Sequence, residues 1–300
     1  MTQSIVSTQD LTLYYGRQRG IEALNLNIEA GEVFGFLGPN GAGKSTTLRV
    51  LLDVIRPTRG KATIFGLDCQ KEGVAIRQRV SYLPGELSLP TTMTAHQYLD
   101  LLAAVRGRNT NGRALRETLC QRLNLDPTRK MRDYSRGNKQ KVGLVAAFMS
   151  QPDLLILDEP TGGLDPLVQQ TVLELVREAQ ADGRTVFFSS HILPEVQAVC
   201  DRVGIIRDGR LVATERVETL THQQFRRLKL HLQTMPAEGV FTSVAGVRET
   251  SRQEGAILLE VRQNMAELLQ TAAPYGILDL ETLPVTLEEV FLAYYGGNHV

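Results

Sequence analysis

The run Gly38-Pro39-Asn40-Gly41-Ala42-Gly43-Lys44-Ser45-Thr46 restricts what this chain can fold into more than any other stretch. It satisfies G-x-x-x-x-G-K-[ST] in full, a loop whose backbone N–H groups converge on phosphate oxygens. Convergence of that kind needs a backbone free of side-chain bulk, which Gly38, Gly41 and Gly43 supply. The apolar run Val33 to Leu37 before the loop reads as a short buried strand. After it, Leu48, Leu51, Leu52 and Ile55 recur at helical spacing, so the expectation is a helix that aims its N-terminal dipole at the phosphates. In this arrangement Lys44 meets the β- and γ-phosphates, the Ser45 hydroxyl is a ligand for Mg²⁺, and Thr46 contacts the α-phosphate.

A second apolar run, Leu154 to Leu157, ends in Asp158-Glu159. A buried strand that delivers a carboxylate at its C-terminal end puts it where parallel α/β sheets place their ligands. Asp158 therefore reads as a partner for Mg²⁺, and Glu159 as the general base for an attacking water. Taken alone, an Asp-Glu pair is as readily a strand cap. Thr185 to Phe188 is a further buried strand, running into Ser189-Ser190-His191, and a histidine at that end is a site candidate. Asp165-Pro166 carries the N-cap and first-turn signals of a helix. Tyr134-Ser135-Arg136-Gly137-Asn138 reads as a glycine-containing turn before another helix, with Val142, Val145, Ala146 and Met149 as its apolar face. Tyr15, upstream of the loop, could stack on an adenine, although on the residues alone packing is favoured.

Charge and cysteine content narrow the setting. Lys+Arg and Asp+Glu both number 33, so no general attraction to nucleic acid follows. Cys69, Cys120 and Cys200 lack metal-ligand spacing and suit a reducing compartment as small buried hydrophobes. The polar start Met1-Thr2-Gln3-Ser4 lacks a secretion signal, and no apolar run approaches the ~20 residues that cross a bilayer. A cytoplasmic protein is expected, and any action at a membrane requires another chain to span it.

Along the chain, residues 5–30 alternate as antiparallel strands, with short strands at Ala62 to Phe65 and Val80 to Leu83 and a polar helix between them. From Thr94 to about Met149 the pattern is helical throughout: Tyr98, Leu99, Leu102 and Val105 share one face, and Leu115, Leu119 and Leu123 fall four apart. Arg202 to Thr214 is a hairpin turning at Asp208-Gly209. Beyond about residue 220 the spacing predicts a small α+β unit: strands at Leu228 to Leu232, from Ile257 and at Ile277 to Leu283, a helix over Met265 to Ala273, and an amphipathic helix from Leu287 to Tyr295.

With these pieces assembled, residues 5–215 resemble the nucleotide-binding subunit of an ATP-binding cassette (ABC) transporter. Gly38 to Thr46 is similar to that family's Walker A loop, Leu154 to Asp158 with Glu159 to its Walker B strand and catalytic glutamate, Gly163-Leu164-Asp165 to its D-loop and His191 to its switch histidine. Tyr134 to Asn138 stands where the signature Leu-Ser-Gly-Gly-Gln belongs, keeping Ser135 and Gly137 while Arg136 and Asn138 replace Gly and Gln. The resemblance implies a P-loop NTPase cassette of α/β class, with a mixed sheet core, an antiparallel β subdomain and a helical subdomain at about 87–150. Residues 1–218 form that cassette and 219–300 a C-terminal α+β accessory domain of ferredoxin-like type.

For the site, the resemblance implies ATP with Mg²⁺ and an adenine on Tyr15, against the packing reading. It also implies nucleotide contacts from Gly38, Pro39, Asn40, Gly41, Ala42, Gly43, Lys44, Ser45 and Thr46 and, across a head-to-tail dimer, from Ser135, Gly137, Asn138 and Asp165. Lys44, Glu159 and His191 are the catalytic set, and Ser45 and Asp158 hold the metal. The family's glutamine after Tyr-Leu-Pro is missing from Tyr82-Leu83-Pro84-Gly85-Glu86, where Glu86 either takes over at Mg²⁺ or turns outward. The implied partners are a second nucleotide-binding subunit and a separate transmembrane permease touching the helical insert and Pro84 to Glu86, with no nucleic acid. The tail, including Thr286 to Phe291, is similar to exporter-type cassettes and implies export of a drug, antibiotic, lipid or other small molecule. A non-transport ABC ATPase of translation or DNA-repair type, or a regulatory nucleotide sensor, is the alternative.

Overall fold

The computed structural model describes residues 4–106, 112–219, 226–253 and 255–283. The chain divides into two units, Met1–Glu215 and Arg216–Val300. In the first, an antiparallel sheet is built from β1 (Ser4–Tyr15), β2 (Gln18–Leu24), β5 (Arg59–Ile64) and β6 (Leu67–Asp68) in the order β2-β1-β5-β6, with β3 (Asn27–Glu29) also paired to β1. A second sheet takes the order β11-β10-β4-β9-β8-β7. It comprises β4 (Val33–Leu37), β7 (Val80–Leu83), β8 (Leu154–Asp158), β9 (Thr185–Ser190), β10 (Arg202–Arg207) and β11 (Arg210–Arg216).

Strands β10, β4, β9, β8 and β7 run parallel. Every residue of β4, β8 and β9 is buried, as expected of central parallel strands with both faces covered. Phe34 and Phe36 of β4 meet Phe187 of β9 edge-to-face, with centroids 5.8 and 5.5 Å apart. This core fixes the carboxyl ends of β4, β8 and β9 side by side. From those ends come the phosphate loop, Asp158-Glu159 and His191, so sheet order converts three distant sequence positions into one edge.

The helices follow in chain order: α1 (Lys44–Leu51), α2 (Gly73–Arg79), α3 (Ala95–Arg106), α4 (Gly112–Arg122), α5 (Arg136–Phe148), α6 (Pro166–Ala181) and α7 (Leu193–Val199). Helix α1 stops at Leu51, short of the expected Ile55, because Asp53 takes a left-handed φ of 54° that no continuing helix allows. The stretch between Thr94 and Met149 is not helical throughout. After α4 comes an irregular connection, tied by a bridge between Thr94 and Lys130 and a 3₁₀ turn at Met131–Asp133. Val105, expected on the apolar face of α3, is 77% exposed, while Leu99 is buried. Helix α5 is buried almost all round from Gln140 to Phe148 and so departs from the one-sided face inferred from sequence. Its Gly143 allows the approach of β7 and the loop after it, since a Cβ there would lie 2.5 Å from Leu87 and 2.6 Å from Leu83.

In the second unit, β12 (Arg226–Leu232), β13 (Val247–Gln253), β14 (Ala256–Val261) and β15 (Ile277–Leu283) form an antiparallel sheet ordered β13-β14-β12-β15. Leu228, Leu230 and Leu232 alternate inward against Ile257, Leu259 and Leu268, the last from α8 (Met265–Ala272). The connection from β12 to β13 carries only a 3₁₀ turn, Phe241–Ser243. Strand β13 has no counterpart among the sequence expectations because Val-Arg-Glu-Thr-Ser-Arg-Gln shows no apolar alternation. The helix expected at Leu287 to Tyr295, and the ending Thr286 to Phe291, lie outside the described residues.

Candidate functional site

The phosphate loop leaves β4 and enters α1, as its sequence requires. Gly43 is the N-cap of α1 with φ 108°, and Gly41 has φ 81°, both left-handed values that glycine adopts without strain. Space matters as much as φ. A Cβ on Gly38 would lie 2.4 Å from the Ile206 carbonyl, and one on Gly43 would lie 2.8 Å from the Gly20 carbonyl. The loop is thus wedged between β10 and the β1–β2 hairpin, and the free N–H groups of the first turn of α1 face outward.

Lys44 is 5% exposed and its Nζ donates to the carbonyls of Gly38 (2.6 Å) and Pro39 (3.2 Å). The same Nζ lies 3.1 Å from Glu159 Oε1, an ion pair whose angles fall short of a hydrogen bond. The other carboxylate oxygen of Glu159 lies 2.5 Å from His191 Nδ1. Glu159 holds a left-handed φ of 50° just past β8, a strained conformation for a non-glycine residue and a common one at functional sites. Its backbone is clamped on both sides: its N–H donates to the Ser189 carbonyl at 3.0 Å, and the Gln140 amide donates to its carbonyl at 3.3 Å. Three sequence-predicted catalytic residues, Lys44, Glu159 and His191, therefore form one chain of contacts.

A cavity of about 260 Å³ opens above this chain, lined by Tyr15, Asn40, Gly41, Gly43, Lys44, Ser45, Thr46 and Glu159 of the expected set. Tyr15 is 47% exposed at this cavity, with its hydroxyl 3.4 Å from Thr46 Oγ1 and its ring edge against Gly20, a half-exposed place open to both the packing and the stacking readings. Gln18, Arg19 and Gly20 also line it and were missed. They sit on the β1–β2 hairpin, which reaches the loop through tertiary packing that local spacing does not encode.

Asp158 is 1% exposed, its Oδ1 accepts from Ser189 Oγ at 2.7 Å, and among the described residues no basic side chain pairs with it. A buried carboxylate without a cationic partner, one residue before the Glu159 that reaches Lys44, is a hard oxygen donor of the kind Mg²⁺ takes, and Ser45, a second such donor, lines the Lys44 cavity. Gly85 lies against it, since a Cβ there would stand 3.3 Å from Asp158 Oδ2. Glu86 is exposed and lines a second cavity of about 370 Å³ with Leu87, Arg136, Lys139 and Gln140, and it is not among the residues lining the Lys44 cavity.

The stretch Tyr134 to Asn138 is no turn before a helix; it is the helix start itself. Ser135 is the N-cap of α5, accepting from the Asn138 N–H at 3.2 Å, and Gly137 lies within the first turn. Gly137 is needed because a Cβ would come within 2.7 Å of the Gly163 carbonyl. Asp165 caps α6 through Val168 N–H at 3.1 Å. Ser135, Gly137, Asn138 and Asp165 are all absent from the lining of the Lys44 cavity. The three cysteines are free and buried, and burial pushes the Cys69 thiol up to about 12. Among the described residues no helix is long and apolar enough to cross a membrane.

The sequence model of the ABC transporter family matches residues 21–162. The chain is 36% identical to the bacitracin transport ATP-binding protein BcrA of Bacillus licheniformis, over 76% of this chain and 75% of that protein. It is 31% identical to the daunorubicin/doxorubicin resistance ATP-binding protein DrrA of Streptomyces peucetius, over 97% of this chain and 92% of that one. A solved ATP-binding subunit of an ABC transporter superposes with a TM-score of 0.68 at 30% identity, covering 72% of this chain and 91% of that one. The dimeric ATP-binding cassette MJ0796, bound to ADP and Pi, shares the fold with a TM-score of 0.65 at 23% identity, covering 71% and 99%. The phosphate loop, the acidic strand end beside it and the identity to proteins of this kind over most of its length have one explanation: the chain belongs to the ABC transporter family, as an ATP-hydrolysing subunit.

Proposed function

We propose that this chain pairs with a second nucleotide-binding subunit, most simply a copy of itself, around two ATP–Mg²⁺, and that closure of the pair drives a separate membrane permease. The observation that carries the reading is the contact chain Lys44–Glu159–His191, in which a single carboxylate answers a buried cation on one oxygen and an imidazole on the other. Without nucleotide, Glu159 neutralises Lys44. The γ-phosphate of arriving ATP takes over Lys44 and frees Glu159 Oε1 for a water, while His191 keeps Oε2 oriented. Glu159 then accepts a proton from the water as it attacks the γ-phosphorus in line with the leaving ADP oxygen. Asp158 and Ser45 would hold Mg²⁺, which when bound would neutralise charge on the phosphates.

Ser135, Gly137 and Asn138 at the start of α5, with Asp165, face the ATP of the partner subunit. Within their own chain Ser135 and Asp165 cap helices, and none of the four lines the Lys44 cavity. Tyr15 stacks on adenine. Residues 219–300 act as an accessory domain, and the order β13-β14-β12-β15 with α8 between its last two strands supports a ferredoxin-like type whose first helix is reduced to a 3₁₀ turn. The names of the bacitracin and daunorubicin/doxorubicin relatives favour export of an antibiotic or drug. Glu159→Gln tests the reading. It should bind ATP, accumulate as a dimer by light scattering, and lose turnover by about 10²- to 10⁴-fold. Wild-type turnover in that variant would end the role assigned to Glu159.

A further inference from the structure

Behind the Glu159–His191 pair lies a carboxylate that the chemistry above does not use. Glu195 stands in the first turn of α7, is 6% exposed, and shares that helix's buried face with Val196 and Val199. Helix α7 is held close beneath β4, since a Cβ on Gly35 would lie 2.8 Å from Val196. Oε2 of Glu195 accepts from Ser190 Oγ at 3.0 Å, and Ser190 Oγ in turn accepts from the Ile192 N–H at 2.9 Å. The Thr161 side chain lies beside the same carboxylate. Thr161 follows Glu159 by two positions and Ser190 directly precedes His191, so one buried side chain sits between the backbones that carry the pair, hydrogen-bonded to one and set against the other.

We propose that Glu195 is a positioning residue for ATP hydrolysis, which holds Ser190 with Thr161 beside it so that His191 stays within hydrogen-bonding distance of Glu159 and aligned on the attacking water. The proposal rests on Glu159 and His191 being the hydrolytic pair. A carboxylate suits the task because it only accepts, which obliges the Ser190 hydroxyl to donate and leaves a Ser190 lone pair for Ile192 N–H. An amide at the same place can donate from one end, letting a hydroxyl reverse and the loop bearing His191 loosen. Stability alone does not account for a charged group here. Burial holds the Glu195 carboxyl above the usual carboxylate range, against the opposing effects of Thr161 and Ser190, and the charge of Glu159 adds to the rise. A raised carboxylate favours the fold below its unfolded value near 4.5, and that contribution is lost as pH climbs through the folded value. At neutral pH the neutral, isosteric Gln should therefore fold at least as well.

The test is Glu195→Gln in the full chain, with ATP affinity, thermal midpoint and steady-state ATPase measured together, alone and combined with His191→Ala. The expected result is a kcat lowered about tenfold with KM, ATP affinity and midpoint held, as follows from misplacing a reacting group. In the His191→Ala background the further loss should stay within about twofold, because the two substitutions act on one unit. Ser190→Ala should reproduce the same split between kcat and KM. An unchanged kcat in Glu195→Gln, a full tenfold loss persisting without His191, or a loss shared equally by affinity and midpoint would overturn the proposal. Wild-type rates in Glu159→Gln and His191→Ala would instead remove the underlying pair. Inactivity of those two beside a fully active Glu195→Gln would remove Glu195 alone.

Discussion

Two helix starts in this chain carry the marks of a phosphate site, and their surroundings differ. At α1 the glycines, Lys44, Ser45 and Thr46 open onto a cavity that β8, β9 and the β1–β2 hairpin complete with Glu159, His191 behind it and Tyr15. At α5, Ser135 is spent on its own helix cap and Gly137 on close approach to Gly163, and neither lines that cavity. The first start has Glu159 and His191 within the chain, whereas the second is a capped helix N-terminus without them. Under the function proposed above, the second start of another nucleotide-binding subunit would complete the site that the first begins.

Substitutions at the two starts should fail in different ways. The largest effect is expected from Gly137→Ala, whose Cβ meets the Gly163 backbone carbonyl at 2.7 Å and must displace α5 or the D-loop. Since about 1 Å of misplacement can cost on the order of a hundredfold in rate, ATPase activity should fall by roughly that factor. Nucleotide affinity of the isolated chain should stay unchanged in equilibrium titration. Tyr15→Ala should act on binding, with a loss of about 0.5–1.5 kcal/mol in ATP affinity from the missing stack and little change in kcat. The smallest effect is expected at Glu86, which lines the cavity of Arg136 and Lys139. Glu86→Gln should leave the Mg²⁺ dependence of hydrolysis within about twofold, a change comparable to that of surface charges. A large shift in Mg²⁺ dependence would return Glu86 to the metal.

The phosphate loop was legible in sequence because its residues are chosen by local chemistry: glycine where φ is positive or a carbonyl presses close, and Lys44, Ser45 and Thr46 where the loop opens onto the cavity. The strands behind it were legible for a similar reason, as the unbroken apolar runs at Val33, Leu154 and Thr185 belong to central parallel strands. What sequence could not supply was tertiary. Gln18 to Gly20 reach the cavity only because Gly43 and Gly209 both pack on the Gly20 carbonyl. Glu195 looks like any helix-start acid until its burial and its Ser190 hydroxyl partner are seen. Gly137 reads as a turn residue, yet it lies in the first turn of α5, where only the lack of a Cβ admits the Gly163 carbonyl. In the second unit, β13 offers one buried apolar residue, Val247, too little for a sequence signal, and is held to β14 by the backbone ladder and the Thr250 hydroxyl.

The central claim is that each ATP is held by Lys44 of one chain and by Ser135 and Gly137 of another. It is tested most directly by mixing two inactive variants, Lys44→Ala and Gly137→Ala, and measuring ATPase activity. In a head-to-tail dimer the mixed species contains one site with both substitutions and one with neither. Activity should then reappear at on the order of a quarter of the wild-type rate, because half of the dimers are mixed and each has one of two sites intact. A mixture as inactive as its two components would show that the phosphate half and the signature half must belong to the same chain, and would contradict the account.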